Sequence, residues 1–294
     1  MRPYRSILFV PGHKPAWATK ALAARPDAII LDLEDSVPAG EKVAARTAVA
    51  DTIGKLRAEQ PGVGIGVRVN PLTTRLTGGD LEAVVVPGLD VVFAPKIERA
   101  SDVLQYDALL DHFETRNGTS AVQYIIPVET VPAILNAVDI AKASLRVGAM
   151  IGPTAEHADI AREVGFVWTP EGTETLYLRS RILLACRAAG IHPLTGLWER
   201  LDDLNGLARF AAAGRGLGFR GMIAIHPSHI PVINAAFTPS PEEFDFYRGV
   251  VAAYDDAVAQ GSGALRFRGV HIDRAHYDKA VQWLAAAREF GGIG

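Results

Sequence analysis

Short runs of consecutive apolar residues alternate with stretches of helical spacing along most of this chain, and no other feature limits the possible fold as much. The apolar runs are Ser6 to Val10, Ala28 to Leu33, Gly64 to Val69, Val91 to Pro95, Val122 to Val128, Arg146 to Ile151 and Met222 to Ile225, with a weaker one at His192 to Thr195. Helical spacing occupies Lys14 to Ala24, Glu41 to Glu59, Ser101 to Thr115, Val131 to Ala143, Thr173 to Ala189 and Leu204 to Gly214. Strands alternating with helices imply βα units around a parallel sheet. Strands apolar on consecutive residues are buried on both faces. Seven clear runs and one weak one predict an α/β fold, a closed (β/α)8 TIM barrel in preference to a smaller open sheet. A doubly wound nucleotide fold would place its glycine fingerprint between a strand and the following helix. The one Gly-x-Gly-x-x-Gly here, Gly216, Gly218 and Gly221, instead follows a helix and precedes a strand, which is the wrong context.

The texture changes after the last apolar run. Ser240 can cap a helix and Pro241 suits its first position. The spacing predicts a helix to about Ala259, an extended Ala264 to Ile272 after Gly261-Ser262-Gly263, and a last helix from Ala275 to about Phe290. The expected organisation is a TIM-barrel catalytic domain over residues 1–238 and a C-terminal helical extension over residues 239–294. That extension is too small and polar for a core of its own, so it is expected to pack on the barrel or on an adjacent subunit.

Composition excludes several classes. Of 294 residues, 49% are hydrophobic, and 30 Lys plus Arg stand against 33 Asp plus Glu for a formal charge of -3. Charge so balanced and scattered gives no basic stripe for nucleic acid. No uncharged apolar stretch approaches membrane-span length, and the N-terminus opens directly into a strand pattern where a signal peptide would carry an apolar h-region. A cytoplasmic enzyme is expected. The single cysteine, Cys186, has no partner for an internal disulfide and reads as core packing. Asn117-Gly118-Thr119 reads as a turn.

In such barrels the reacting groups come from the carboxyl ends of the strands. Here those ends read Val10-Pro11-Gly12-His13, Asp32-Leu33-Glu34-Asp35, Arg68-Val69-Asn70, Pro95-Lys96, Pro127-Val128-Glu129-Thr130, the segment Gly152 to Asp159, and Ile225-His226-Pro227. Glu129 and an acid from the loop after the sixth strand, Asp159 or Glu156, would put two carboxylates on adjacent strands. Mg2+ or Mn2+ is commonly held in that way, with water and substrate oxygens completing the shell. The competing reading makes Glu129 a first-turn helix carboxylate and Glu156 a solvated acid. Arg68 at the barrel mouth suits capture of a carboxylate or a developing oxyanion; it can equally form a buried pair with Asp32 or Glu34. Asp32, Glu34 and Asp35 cannot all face one site, and at least one is expected to pair with Lys42 or Arg46. Lys96, His13 and His226 stay open between substrate contact and strand-end hydrogen bonding.

Arg5-Ser6-Ile7-Leu8-Phe9-Val10-Pro11-Gly12, the string DAIILDLEDSV from Asp27 to Val37, and Lys42-Val43-Ala44-Ala45-Arg46 carry a resemblance. It extends through Arg68-Val69-Asn70, Pro95-Lys96, Glu129-Thr130, Gly218-Phe219-Arg220-Gly221, Ile225-His226-Pro227, Phe237-Thr238-Pro239-Ser240 and Gly269-Val270-His271-Ile272-Asp273. The chain resembles the citrate lyase beta-subunit-like branch of the HpcH/HpaI aldolase family over essentially its whole length.

That resemblance implies a Mg2+-dependent carbon–carbon lyase on a (β/α)8 barrel. Its substrate would be a 3-hydroxyacyl-CoA-like thioester such as a malyl, citramalyl or citryl thioester, giving acetyl-CoA or a related product plus a 2-oxoacid. It further implies metal ligation by Glu129 and by an aspartate opening the helix after the sixth strand, a catalytic Arg68, and an Asp273 placed into the site of an adjacent subunit of a homotrimer or homohexamer. Relatives have a compact Gly-Ala-Glu-Asp after the sixth strand, where this chain has the longer Gly152 to Asp159. Asp159 restores the spacing to Gly165, with Glu156 as the alternative. Met222 and His229 also depart from the usual pattern, in a region that in relatives lies near the thioester carrier. The alternatives are a metal-dependent pyruvate aldolase on a free 4-hydroxy-2-oxoacid, against which Asp273 argues, and a carrier-protein-dependent subunit.

Overall fold

A computed structural model describes residues 1–288 and 290. Eight parallel strands form a closed barrel in chain order: β1 (Ser6–Pro11), β2 (Ala28–Asp32), β3 (Gly64–Arg68), β4 (Val91–Phe93), β5 (Gln123–Pro127), β6 (Val147–Gly152), β7 (His192–Thr195) and β8 (Met222–Ala224). All eight apolar runs are strands, the weak seventh included. Five of them shorten to the residues that find neighbours, β1 gains Pro11 and β6 shifts by one residue, and β7 meets β8 at the single pair Thr195–Met222.

Ten helices accompany the strands: α1 (Pro15–Ala21), α2 (Lys42–Glu59), α3 (Thr77–Val84), α4 (Ala100–Asn117), α5 (Val131–Leu135), α6 (Ala137–Lys142), α7 (Asp159–Val164), α8 (Leu176–Ala189), α9 (Leu204–Leu217) and α10 (His229–Phe237). The stretch expected as one helix over 131–143 is two. Its break is Asn136, whose side-chain amide donates to the Glu98 carbonyl at 2.9 Å. α3, α7 and α10 lie outside the helical stretches read from spacing. Gly118 ends α4 in the left-handed conformation, at φ 65, as the turn expected at Asn117-Gly118-Thr119 requires.

Period-two alternation sorts the strand residues into two cores. Leu8, Ile29, Leu31, Ile65, Val67 and Val92 face the helices. Ile7, Ala28, Ile30, Val91, Phe93, Ile125, Ala149, Ile151, Leu194 and Ile223 fill the barrel interior. Gly66 lies in the interior set because a Cβ there would come within 2.5 Å of Ile30 Cδ1. Continuing the same alternation to the strand ends puts Asp32 above Ile30 and Arg68 above Gly66, and the two are register partners. Cys186 is fully buried, and burial pushes its thiol up to about 12, which removes it as a nucleophile near neutral pH.

The chain divides into two compact units, the second beginning at Thr238. In that unit α11 (Pro241–Ala259) starts from a capping box between Ser240 and Glu243. The stretch expected as extended is an antiparallel hairpin of β9 (Leu265–Phe267) and β10 (Val270–Ile272). Its turn residues Arg268 and Gly269 have φ 45 and 84, the positive angles that a tight hairpin needs. α12 (Arg274–Arg288) follows, and Tyr247 stacks on Trp283 with ring centroids 4.4 Å apart. Residues 289 and 291–294 of the expected extension lie outside the described residues. Among the described residues no helix is long and apolar enough to cross a membrane.

Candidate active site

Asp32 and Arg68 end neighbouring strands on the interior side, and they meet as a bidentate pair. Arg68 Nε donates to Asp32 Oδ1 and Nη2 to Oδ2, both at 2.7 Å. Burial pushes the Asp32 carboxyl up, but the guanidinium outweighs it and holds Asp32 below the usual carboxylate range. Arg68 Nη1 also lies 2.9 Å from Glu34 and 3.3 Å from Asp35. Its hydrogen bonds to Asp32 and Asp35 use three of five N–H donors, and Glu34 faces Nη1 as well, so the second N–H of Nη2 remains for an oxygen in the cavity. The face of Phe9 supports the group, 5.3 Å from ring centroid to Cζ. Buried pairing and a catalytic role are thus compatible for Arg68, with Asp32 fixing its orientation.

The acids of the β2 end do not use the partners expected from sequence. Lys42 Nζ donates to the backbone carbonyls of Leu33 and Glu34, at 3.0 and 2.7 Å. Arg46 pairs with Asp80, at 2.8 Å. The reason is reach: α2 runs past the end of β2 and delivers Lys42 to the chain's carbonyls, whereas Arg68 arrives in register beside Asp32. Glu34 is buried, and burial pushes its carboxyl up to about 8 against the pull of Arg68, with Asp35, Glu129 and Asp32 adding to the rise.

Lys96 joins the next two strand ends. Its Nζ lies 3.4 Å from Glu129 Oε1 and is bonded to Asp159 Oδ2, and its backbone N–H donates to the same Glu129 oxygen at 3.0 Å. Burial raises Glu129 and Lys96 opposes the rise. The hydrogen bond from Lys96 holds Asp159 below the ordinary aspartate range. Asp159 also accepts from Arg162 at 2.8 Å. Two carboxylates therefore converge on one cationic centre, an oxygen donor set of the kind a hard divalent ion takes.

Glu156 lies in a different group. With His157 and Glu199 it offers ligand atoms all within 4.8 Å of one another, and it pairs with Arg200 at 3.6 Å. Glu199 Oε2 accepts the backbone N–H groups of Glu156 and His157, at 2.6 and 3.1 Å. Glu199 sits four residues beyond Thr195, past the end of β7, the strand that the sequence marks most weakly. A cavity of about 410 Å3 opens between these groups. Asp32, Arg68, Glu129 and Asp159 line it on one side, His157 and Glu199 on another, with Phe9, Phe93, Ile151 and Ile223 as apolar lining.

In the second unit, Asp273 caps α12. Its Oδ1 accepts from the backbone N–H of Ala275 at 3.0 Å and lies 2.6 Å from His276 Nδ1, and the side chain is 43% exposed. His226 Nδ1 lies 2.7 Å from Ser228 Oγ. His229 is buried against the Leu201 carbonyl, at 3.4 Å.

The profile of the family described as HpcH/HpaI aldolase/citrate lyase matches residues 5–227. The citrate lyase subunit beta of Haemophilus influenzae is 34% identical over 290 residues, 98% of each chain. A (3S)-malyl-CoA thioesterase of Cereibacter sphaeroides is 32% identical, across 97% of this chain and 95% of that one. Among solved structures, CitE of Mycobacterium tuberculosis in complex with magnesium, acetoacetate and coenzyme A is similar at a TM-score of 0.74 and 30% identity. That likeness covers 96% of this chain and 97% of the other.

Proposed function

This chain belongs to the HpcH/HpaI aldolase/citrate lyase family, in its citrate lyase beta-like branch, and is a carbon–carbon lyase; within that class we propose that it cleaves a 3-hydroxyacyl thioester of the malyl, citramalyl or citryl type. The observation that carries this reading is the convergence of Glu129 and Asp159 on one cation beside the tethered Arg68 guanidinium, in one cavity. Glu129 and Asp159 would hold Mg2+, whose charge polarises the oxygens of a bound carboxylate and its adjacent hydroxyl. The all-oxygen pair suits Mg2+ better than the group containing His157 does.

The remaining work falls to side chains. Asp32 fixes the plane of Arg68, so that the remaining guanidinium N–H stabilises the thioester oxygen as it takes enolate charge. As the hydroxyl proton leaves, its oxygen becomes the 2-oxo group, and the carbon–carbon bonding pair passes to the acetyl carbon. Asp273 of a neighbouring subunit would take the hydroxyl proton as a carboxylate and, once protonated, deliver it to that carbon. Its carboxylate is exposed and held ionised by His276, the state in which it can act as that base.

The deciding experiment is a panel of malyl-, citramalyl- and citryl-CoA run beside free 4-hydroxy-2-oxoacids, with and without EDTA. The expected result is an acetyl thioester plus a 2-oxoacid, lost in EDTA. Cleavage of the free acids alone would move the chain to the aldolase reading. Release of coenzyme A with the hydroxyacid left whole would place it with the thioesterase relatives, and turnover only on a carrier protein would make it a complex subunit.

A further inference from the structure

Lys96 is placed in a way that a simple strand-end hydrogen bonder has no need of. Its backbone adopts φ 54, a left-handed conformation that is unfavourable for a non-glycine residue and persists only where the surroundings enforce it. In that conformation the residue reaches Glu129 twice. The amide donates to Oε1 and the side chain returns so that Nζ lies near the same oxygen. The ammonium then completes its contacts on Asp159, which arrives from the N-terminus of α7.

The carboxylates around the mouth make the electrostatic need plain. Asp32, Glu34 and Asp35 surround Arg68, while Glu129 and Asp159 face Lys96, with Arg162 on the outer side of Asp159. Without Lys96, Glu129 would be a half-buried acid with no cation bonded to it among the described residues. A lysine ammonium is a compact charge on a flexible four-carbon stem. It can neutralise the pair as a metal ion does, and it can also be moved away. The side chain is 29% exposed, so a path out exists, and Glu34 is the next acid that acts on it.

We propose that Lys96 is a built-in counter-cation for the divalent-ion locus. Its ammonium holds Glu129 and Asp159 together while no metal is bound, and a divalent cation must displace it to enter, so Lys96 sets the affinity of the site. The inference rests on the reading of Glu129 and Asp159 as metal ligands. It adds that the ligands are held in place before the metal arrives, at the expense of tight binding.

The test is calorimetric titration of the full-length, metal-stripped protein with Mg2+, together with thermal unfolding in EDTA and in saturating Mg2+. Wild type is compared with Lys96→Met, Lys96→Gly and Lys96→Arg. Lys96→Gly relieves the left-handed backbone and so guards against a Lys96→Met protein that does not fold. Removing the competitor is expected to tighten Mg2+ binding about tenfold or more, because apparent affinity is reduced by the fraction of sites that are competent. Both neutral variants should also unfold at lower temperature than wild type in EDTA, beyond any gain from the glycine backbone, and this deficit should close in Mg2+. Lys96→Arg should stay on the wild-type side of the affinity difference. Unchanged or weaker Mg2+ binding in both neutral variants, with wild type binding normally, overturns the inference and leaves the metal-site reading intact. Binding by the variants but not by wild type upholds the inference and overturns Mg2+ as the resident ion. Binding by none overturns both.

Discussion

The two mouths of the barrel are made by the same eight strands and differ in how their charges are matched. At the amino end, Arg5 grips Asp27 with its backbone N–H, Nε and Nη2, at 2.7, 2.9 and 2.7 Å. His192 is buried, pushed down to about 4 by loss of water and lying 3.1 Å from the Tyr4 carbonyl. At the carboxyl end, five acids (Asp32, Glu34, Asp35, Glu129 and Asp159) share Arg68 and Lys96 around a cavity of about 410 Å3. Matched charge in a packed setting serves stability. Acids in excess of their cations, beside a hollow, mark the end where a ligand completes the balance.

The largest effect that tests this contrast is on catalysis. Asp159→Ala or Glu129→Ala is expected to lower Mg2+-dependent kcat by about 1000-fold or more, with the fold intact by circular dichroism. Normal turnover in Asp159→Ala together with loss in Glu156→Ala would move the second ligand to Glu156. At the other mouth, Asp27→Ala should cost about 2 kcal/mol in urea unfolding, since it removes the charge-assisted hydrogen bonds to Arg5, and should leave kcat where it was. A fall in kcat at unchanged stability would erase the distinction between the ends.

Glu199→Ala should weaken Mg2+ binding about tenfold, the size typical when a group that orients a ligand is lost. Glu199 touches no proposed ligand directly. It pins Glu156 and His157 by their backbone N–H groups and so fixes the path of the loop into Asp159. Calorimetry reads the effect, and an unchanged affinity would show that α7 alone positions Asp159. The smallest effect is a change of slope. With Glu34 raised from 4.5 to about 8 in the folded protein, the native state holds a proton that the unfolded chain releases. Its contribution to stability is full below about 4.5 and declines as pH rises through 8. Glu34→Gln should flatten that part of the stability–pH curve, and an unaltered slope would assign it to other groups.

Much of this was legible because strand periodicity is a local property. Once Ala28 and Ile30 are read as inward, Asp32 follows, and Gly64 and Gly66 lead in the same way to Arg68. The failures have equally local causes. Helical spacing ran through Asn136, whose polar side chain finds the Glu98 carbonyl and ends α5. The pairing of Lys42 and Arg46 with the β2 acids looked natural along the chain, but the carbonyls of Leu33 and Glu34, and Asp80, lay closer in space. The strand-end position marks Lys96 but leaves its role open, and nothing local marks Glu199; each matters through a residue 63 or 43 positions away.

The sequence by itself determined the class of fold, the end of the barrel at which charge accumulates, and the family. Apolar period and the order of strand-end motifs are written in consecutive residues. Only the tertiary structure decided which acids share a cation. Ion pairing falls off over a few ångströms, so it depends on how β4, β5 and the loop into α7 come together in space, and spacing along the chain does not encode that distance.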